Sequence, residues 1–199
     1  MPNWCANSLK LVASTSKSKQ LLRKINKMLK ATEPEEYTHA RLFQLMKPMP
    51  DDLMNSEAAH GGTFEEVEAR NKNHQENITK YGYATWYGWA LNEWGTKWDA
   101  RIEFAEITKQ STTIYFDTAW SPPMGVYEHL EKIGFKVEAT YCECGVGYAG
   151  AYANGKDREF EISFYKYNEN DENDERENDR MQSFFFALGF DHNPSHLGG

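Results

Sequence analysis

Residues 101–107, "RIEFAEI", and 112–120, "TTIYFDTAW", are two alternating runs separated only by the polar turn "TKQS". Apolar, β-branched and aromatic side chains at every second position, broken by so short a gap, predict an antiparallel hairpin. An isolated hairpin is marginal in water, so its apolar face demands partners. The flanking sequence supplies them in order. "CANSLKLV" at 5–12 alternates with Asn7, Leu9 and Leu11 on one side, and Leu21, Leu22, Ile25, Met28 and Leu29 then recur at helical spacing behind Ser16 or Ser18 as N-cap. After the hairpin, Ser121 offers an N-cap, Pro122 the first helical position, Val126, Leu130 and Ile133 an apolar stripe, and Gly134 a stop. A strand at about 135–144, "FKVEATYCEC", follows. This is an α+β chain in the ferredoxin-like βαββαβ order, with an antiparallel sheet. A last hairpin, "VGYAGAYA" and "REFEISFY" around Asn154-Gly155, extends it.

One ferredoxin-like domain is expected over residues 1–167. The 42–98 segment is too long for an ordinary connection and reads as an insertion outside the core, with "FEEVEARNKNHQENITKY" an exposed helix. Residues 168–180, "NENDENDERENDR", read as an acidic linker, and 181–199 as a C-terminal aromatic helix and tail.

Composition narrows the function classes. The net charge of −8 opposes general affinity for a polyanion, so direct nucleic-acid binding is not expected. The local basic run "KSKQLLRKINKMLK" reads as the solvated face of a helix. No apolar run is long enough to span a bilayer, and the N-terminal "MPNW" lacks the basic start and hydrophobic stretch of a signal peptide, so a cytoplasmic location without membrane attachment is expected. The odd count of three cysteines, Cys5, Cys142 and Cys144, disfavours a disulfide framework and suits a reducing compartment.

In a βαββαβ sheet the strands run up, up, down, down, so one end collects the starts of strands one and two and the ends of strands three and four. "MPNWC", "EWGTKWDA", "DTAWSPP" and "CECG" all fall there. The expected binding residues at this aromatic, charged mouth are Trp4, Asn92, Trp94, Gly95, Thr96, Lys97, Trp98, Asp99, Asp117, Trp120, Ser121 and Glu143.

The same segments, with "KPMP" at 47–50, "NEWGTKWDA", "FDTAWSPP" and "YCECGVGYAGAY", resemble the YubB ferredoxin-like domain family, small proteins carried by conjugative plasmids and bacteriophages. The resemblance runs in order over residues 1 to about 165. It implies a fold and a mobile-element setting, with no iron and no assigned reaction. The acidic linker and the aromatic C-terminal helix depart from the shorter members.

Two uses of the mouth remain open from the residues alone. The indoles could plug the end of the sheet, or they could stack on a ligand while Lys97 and a helix N-terminus hold an anion. Metal is not expected, because Cys142 and Cys144 give only C-x-C spacing without an adjacent histidine, and three thiols are too few for an iron–sulfur cluster. Asp99, Asp117 and Glu143 could make a carboxylate set of the glycosidase kind, but partnership with Lys97, Arg101 and the indole N–H groups is the simpler reading. The six histidines show no triad or HExxH spacing.

The expected function is therefore a non-catalytic mobile-element accessory protein, without a cofactor, that binds a host or element-encoded macromolecule. An acidic inhibitor of a host defence protein is one version. The alternative is a protein that binds, or hydrolyses, a nucleotide or sugar at the Trp mouth. Met181, Phe184, Phe185, Phe186 and Leu188 are the expected contact residues for a partner protein or a second copy, because three successive phenylalanines cannot share one helix face.

Overall fold

Strand β1 (Trp4–Ala13) alternates as expected, and its odd-numbered side chains Leu9 and Leu11 are fully buried. The computed structural model describes residues 3–32, 40–58, 61–143, 145 and 147–161. The elements after β1 are α1 (Ser16–Ala31), α2 (Leu42–Met46), α3 (Asp51–Met54), α4 (Phe64–Tyr81) and α5 (Trp86–Trp89), which runs into a π-helical turn (Ala90–Trp94). Then come β2 (Arg101–Ile107), β3 (Thr112–Ala119), α6 (Met124–Lys132), β4 (Phe135–Glu143), β5 (Tyr148–Ala153) and β6 (Lys156–Glu161).

The six strands form one antiparallel sheet in the order β2-β3-β1-β4-β5-β6, so the fold is α+β. β2 pairs with β3, β3 with β1, β1 with β4, β4 with β5 and β5 with β6, all antiparallel. A bulge interrupts β2 between Ile102 and Phe104. Residues opposite one another in register share a face. Leu9, Ile114 and Ala139 are so aligned, and they join Leu11, Phe116 and Val137 in the core beneath the helices. Trp4, Ala6, Arg101 and Asp117 stand on the opposite face. The last hairpin turns on Asn154 and Gly155, with φ of 54° and 68°, as a two-residue loop with both residues left-handed requires.

The helix boundaries differ from expectation at the caps. α1 is capped by Thr15, neither Ser16 nor Ser18, and Ser18 closes a capping box by returning its hydroxyl to the Thr15 N–H. α6 begins at Met124 behind Pro123 with no side-chain cap, so Ser121 and Pro122 lie before the helix. The Ser121 hydroxyl instead donates to the Gly95 carbonyl at 2.6 Å.

The insertion also differs. Its helix α4 spans the residues expected and is mostly exposed, but Leu42, Phe43, Met46, Leu53, Trp89 and Trp94 belong to the main core. The apolar face of the sheet is wider than α1 and the nine-residue α6 can cover, and the insertion completes the layer. The expected acidic linker, C-terminal helix and partner-contact residues lie outside the described residues. No described helix is long and apolar enough to cross a membrane.

Candidate functional site

The sheet register brings three of the four distinctive segments to one end: Trp4 pairs with Ala119, Cys5 with Glu143, and Arg101 with Asp117. The fourth, residues 94–100, leads into β2 from the π-helical turn. Gly95 takes φ 90°, and a side chain there would press on the Met124 N–H and the Pro122 carbonyl, so glycine is required at this bend. Thr96 is fully buried and donates to the Ala119 carbonyl at 2.8 Å, which binds the segment to the end of β3.

Lys97 occupies the centre of the mouth. Its ammonium lies 4.5 Å from the Trp98 ring centroid, 5.2 Å from Trp120 and 5.7 Å from Tyr87. These three rings remain 38%, 40% and 37% exposed. Trp4 extends the group, 6.1 Å from Trp98, with the Arg101 guanidinium above it at 5.8 Å. Neither Lys97 nor Arg101 is in an ion pair among the described residues. Cation–π contact holds a cation in place without neutralising it, so the mouth presents positive charge on aromatic ground.

Trp120 has φ 71°, a left-handed conformation that is rare and strained for a bulky side chain. It is fixed from both sides: its N–H donates to the Asn3 carbonyl at 2.9 Å, and the Tyr148 hydroxyl donates to its carbonyl at 2.7 Å. These contacts hold an indole outward that the backbone alone would not place there.

Several expected site residues serve other purposes. Trp94 is a core residue, edge-on to Trp89, with its indole N–H donating to the Lys47 carbonyl at 2.8 Å. The exposed Asn92 donates its amide N–H to the Gly88 carbonyl, at 2.7 Å. Asp99 does not pair with Lys97; it accepts the N–H groups of Phe43, Gln44 and Ala100, at 2.6, 3.0 and 2.8 Å. Burial nevertheless pushes the Asp99 carboxyl up to about 6, against the lowering effect of those bonds and of Arg41. Glu143 is buried on the helix-covered face and accepts the Gly145 N–H. The sequence reading of these carboxylates as partners of Lys97 and Arg101 is thus replaced by backbone bonding for Asp99 and Glu143.

Asp117 is different. It is 2% exposed, and its Oδ2 has no hydrogen-bond partner among the described residues. Burial pushes its carboxyl up to about 7, Glu103 adds to the rise and Arg101 opposes it. Cys5 and Cys142 fall on opposite faces of the sheet, because Cys142 pairs with Ala6, and Cys144 lies outside the described residues. Among the described residues no cluster of histidine, cysteine or carboxylate is placed to hold a metal ion. Burial pushes the Cys5 thiol well up, which makes it a poor ligand or nucleophile.

Beside the mouth lies a pocket of about 250 Å³. Trp86, Trp94 and Trp98 give it aromatic walls, Met49 and Met54 an aliphatic one, and Arg41, Lys97 and Asp99 are the charged residues of the lining. Tyr87, Trp86 and Arg41 were not among the residues expected from sequence. "TWYGWA" at 85–90 signals an aromatic concentration, but nothing local in the sequence relates Arg41 to Lys97.

No family model matches the chain, and no curated protein does. Among solved structures, the chain is similar to the crystal structure of protein api92 from Yersinia pseudotuberculosis, described under the family model DUF1281. The TM-score is 0.41 at 12% identity, over 83% of this chain and 100% of that one.

Proposed function

We propose that this chain is a ferredoxin-like, non-catalytic accessory protein of a mobile element that binds a host or element-encoded protein through the aromatic mouth around Lys97. The fold assignment is supported by the β2-β3-β1-β4 order of the first four strands, with α1 following β1 and α6 following β3. The mobile-element setting comes from the resemblance to the YubB ferredoxin-like domain family.

One observation carries the functional reading: half of the six large, exposed hydrophobic side chains among the described residues, Tyr87, Trp98 and Trp120, converge on one lysine. Aromatic and cationic groups that stay partly bare in the free chain are the residue types that anchor protein interfaces. A binding role also suits the carboxylates, since Asp99 and Glu143 are engaged by backbone N–H groups and do not face one another across a cleft. The test is capture of partners by the wild-type chain and by Trp98→Ala/Trp120→Ala from the same host extract. A partner retained by the first and lost by the second supports the reading; identical partner sets overturn it. The adjoining pocket favours a small anionic, flat ligand as a second occupant of the same mouth.

A further inference from the structure

We propose that the pocket between Arg41 and Lys97 holds one nucleoside phosphate unit, its base against the indoles of Trp98 and Trp86 and its phosphate between the two cations. The proposal rests on the reading of the mouth as a binding surface and names a ligand for the concave side of it.

Two cations and three indoles, those of Trp86, Trp94 and Trp98, line the same small cavity. Neither cation is in an ion pair among the described residues. Arg41 is exposed, and its Nη1 lies 3.5 Å from the Met54 sulfur. Lys97 is oriented by three rings, which leaves its N–H donors uncommitted. The one carboxylate in the lining, Asp99, is held by three backbone N–H bonds; it feels the Arg41 charge but forms no ion pair with either cation among the described residues. An apolar ligand would leave both cations without an acceptor, and a simple anion would leave the Trp98 face bare. A nucleoside phosphate satisfies both, since every base offers a π-face to an indole and phosphate takes several charged donors. Met49 and Met54 form a deformable wall that adapts to base size. At about 250 Å³ the cavity lies just under the usual range of ligand sites, which limits it to a single unit. That unit could be a free nucleotide or the end of a single strand.

Titration of the full chain with AMP, GMP, CMP and UMP, followed by tryptophan fluorescence and calorimetry at about 0.15 M salt, tests this. Saturable binding is expected, with adenosine and ribose 5-phosphate each weaker by roughly tenfold or more. Arg41→Gln and Lys97→Gln should each weaken binding roughly tenfold or more, and Trp98→Ala roughly five- to hundredfold, with unchanged circular dichroism. Tighter, strongly salt-dependent binding of an eight-base single strand would identify a strand end, and equal binding a free nucleotide. The proposal is overturned if ribose 5-phosphate binds as well as AMP, if no nucleotide binds at millimolar concentration, or if Arg41→Gln and Trp98→Ala leave affinity unchanged. Should nucleotides fail while Trp98→Ala/Trp120→Ala still loses its protein partner, the binding surface stands and only the nucleotide site is lost.

Discussion

The Asp99 carboxylate accepts the Phe43 N–H at 2.6 Å across 56 residues of sequence, so the lead-in to β2 caps the first turn of a helix in the insertion. Arg41, the N-cap residue of α2, makes no side-chain cap bond of its own, and Asp99 takes the first-turn donors of Phe43 and Gln44 that the helix itself cannot pair.

Asp99→Ala should therefore destabilise the chain by about 2–4 kcal/mol, through lost caps and buried N–H groups left without acceptors. Asp99→Asn keeps one acceptor oxygen and should cost less. Urea unfolding of the three proteins gives the comparison. Equal stability of Asp99→Ala and wild type would mean that water replaces the carboxylate without cost.

Asp117 gives a pH-dependent outcome of definite sign. Its carboxyl is near 7 when folded and 3.8 in an unperturbed chain, so the folded protein holds a proton in that interval that the unfolded chain releases. The stability contributed by the protonated form is complete below pH 3.8 and is lost as pH rises through 7. Asp117→Asn should then stabilise the protein at pH 8, by at most about 4 kcal/mol at 1.36 kcal/mol per unit, and change little at pH 4. Thermal melts of both proteins across pH 4–8 measure it; a gain that is independent of pH contradicts the burial argument.

Gly125 is where α6 meets the π-helical turn. A side chain there would fall inside the Glu93 carbonyl, a backbone group that cannot swing aside. Gly125→Ala should cost roughly 2–4 kcal/mol by driving the two elements apart, despite alanine's better helix propensity. Denaturant midpoints decide the sign, and a stabilised variant would show that the contact is looser than described.

Trp120→Gly separates stability from binding. Relief of the left-handed strain should return about 1 kcal/mol, offsetting part of the lost ring contacts. The melting temperature should change by only a few degrees, while retention of the partner captured by wild type falls at least tenfold. A large drop in melting temperature with unchanged retention would assign the indole to structure alone.

The strands and α1, α4 and α6 were legible because each carries a sustained period, and the end of the sheet where Trp4, Trp98 and Trp120 meet followed from strand direction. The roles of Trp94 and Trp98 were not separable in the same way. They are four residues apart, but the π-helical turn and the left-handed Gly95 between them break any regular period, sending Trp94 into the core and leaving Trp98 exposed. The service of Asp99 to α2 and the approach of Arg41 to Lys97 join distant parts of the chain. Only packing relates them.

The bulge at Ile102/Phe104 lies on the outermost strand, where unpaired backbone groups could template another chain. β2 breaks its own ladder there and carries Arg101, Glu103 and Glu106 as charged, exposed residues. Strand addition at this border would have to absorb both the misregister and the like charges of a second copy, which discourages runaway stacking. Protection against fibrous assembly is thereby built into the strand beside the mouth, and the aromatic rings there can stay uncovered at lower risk.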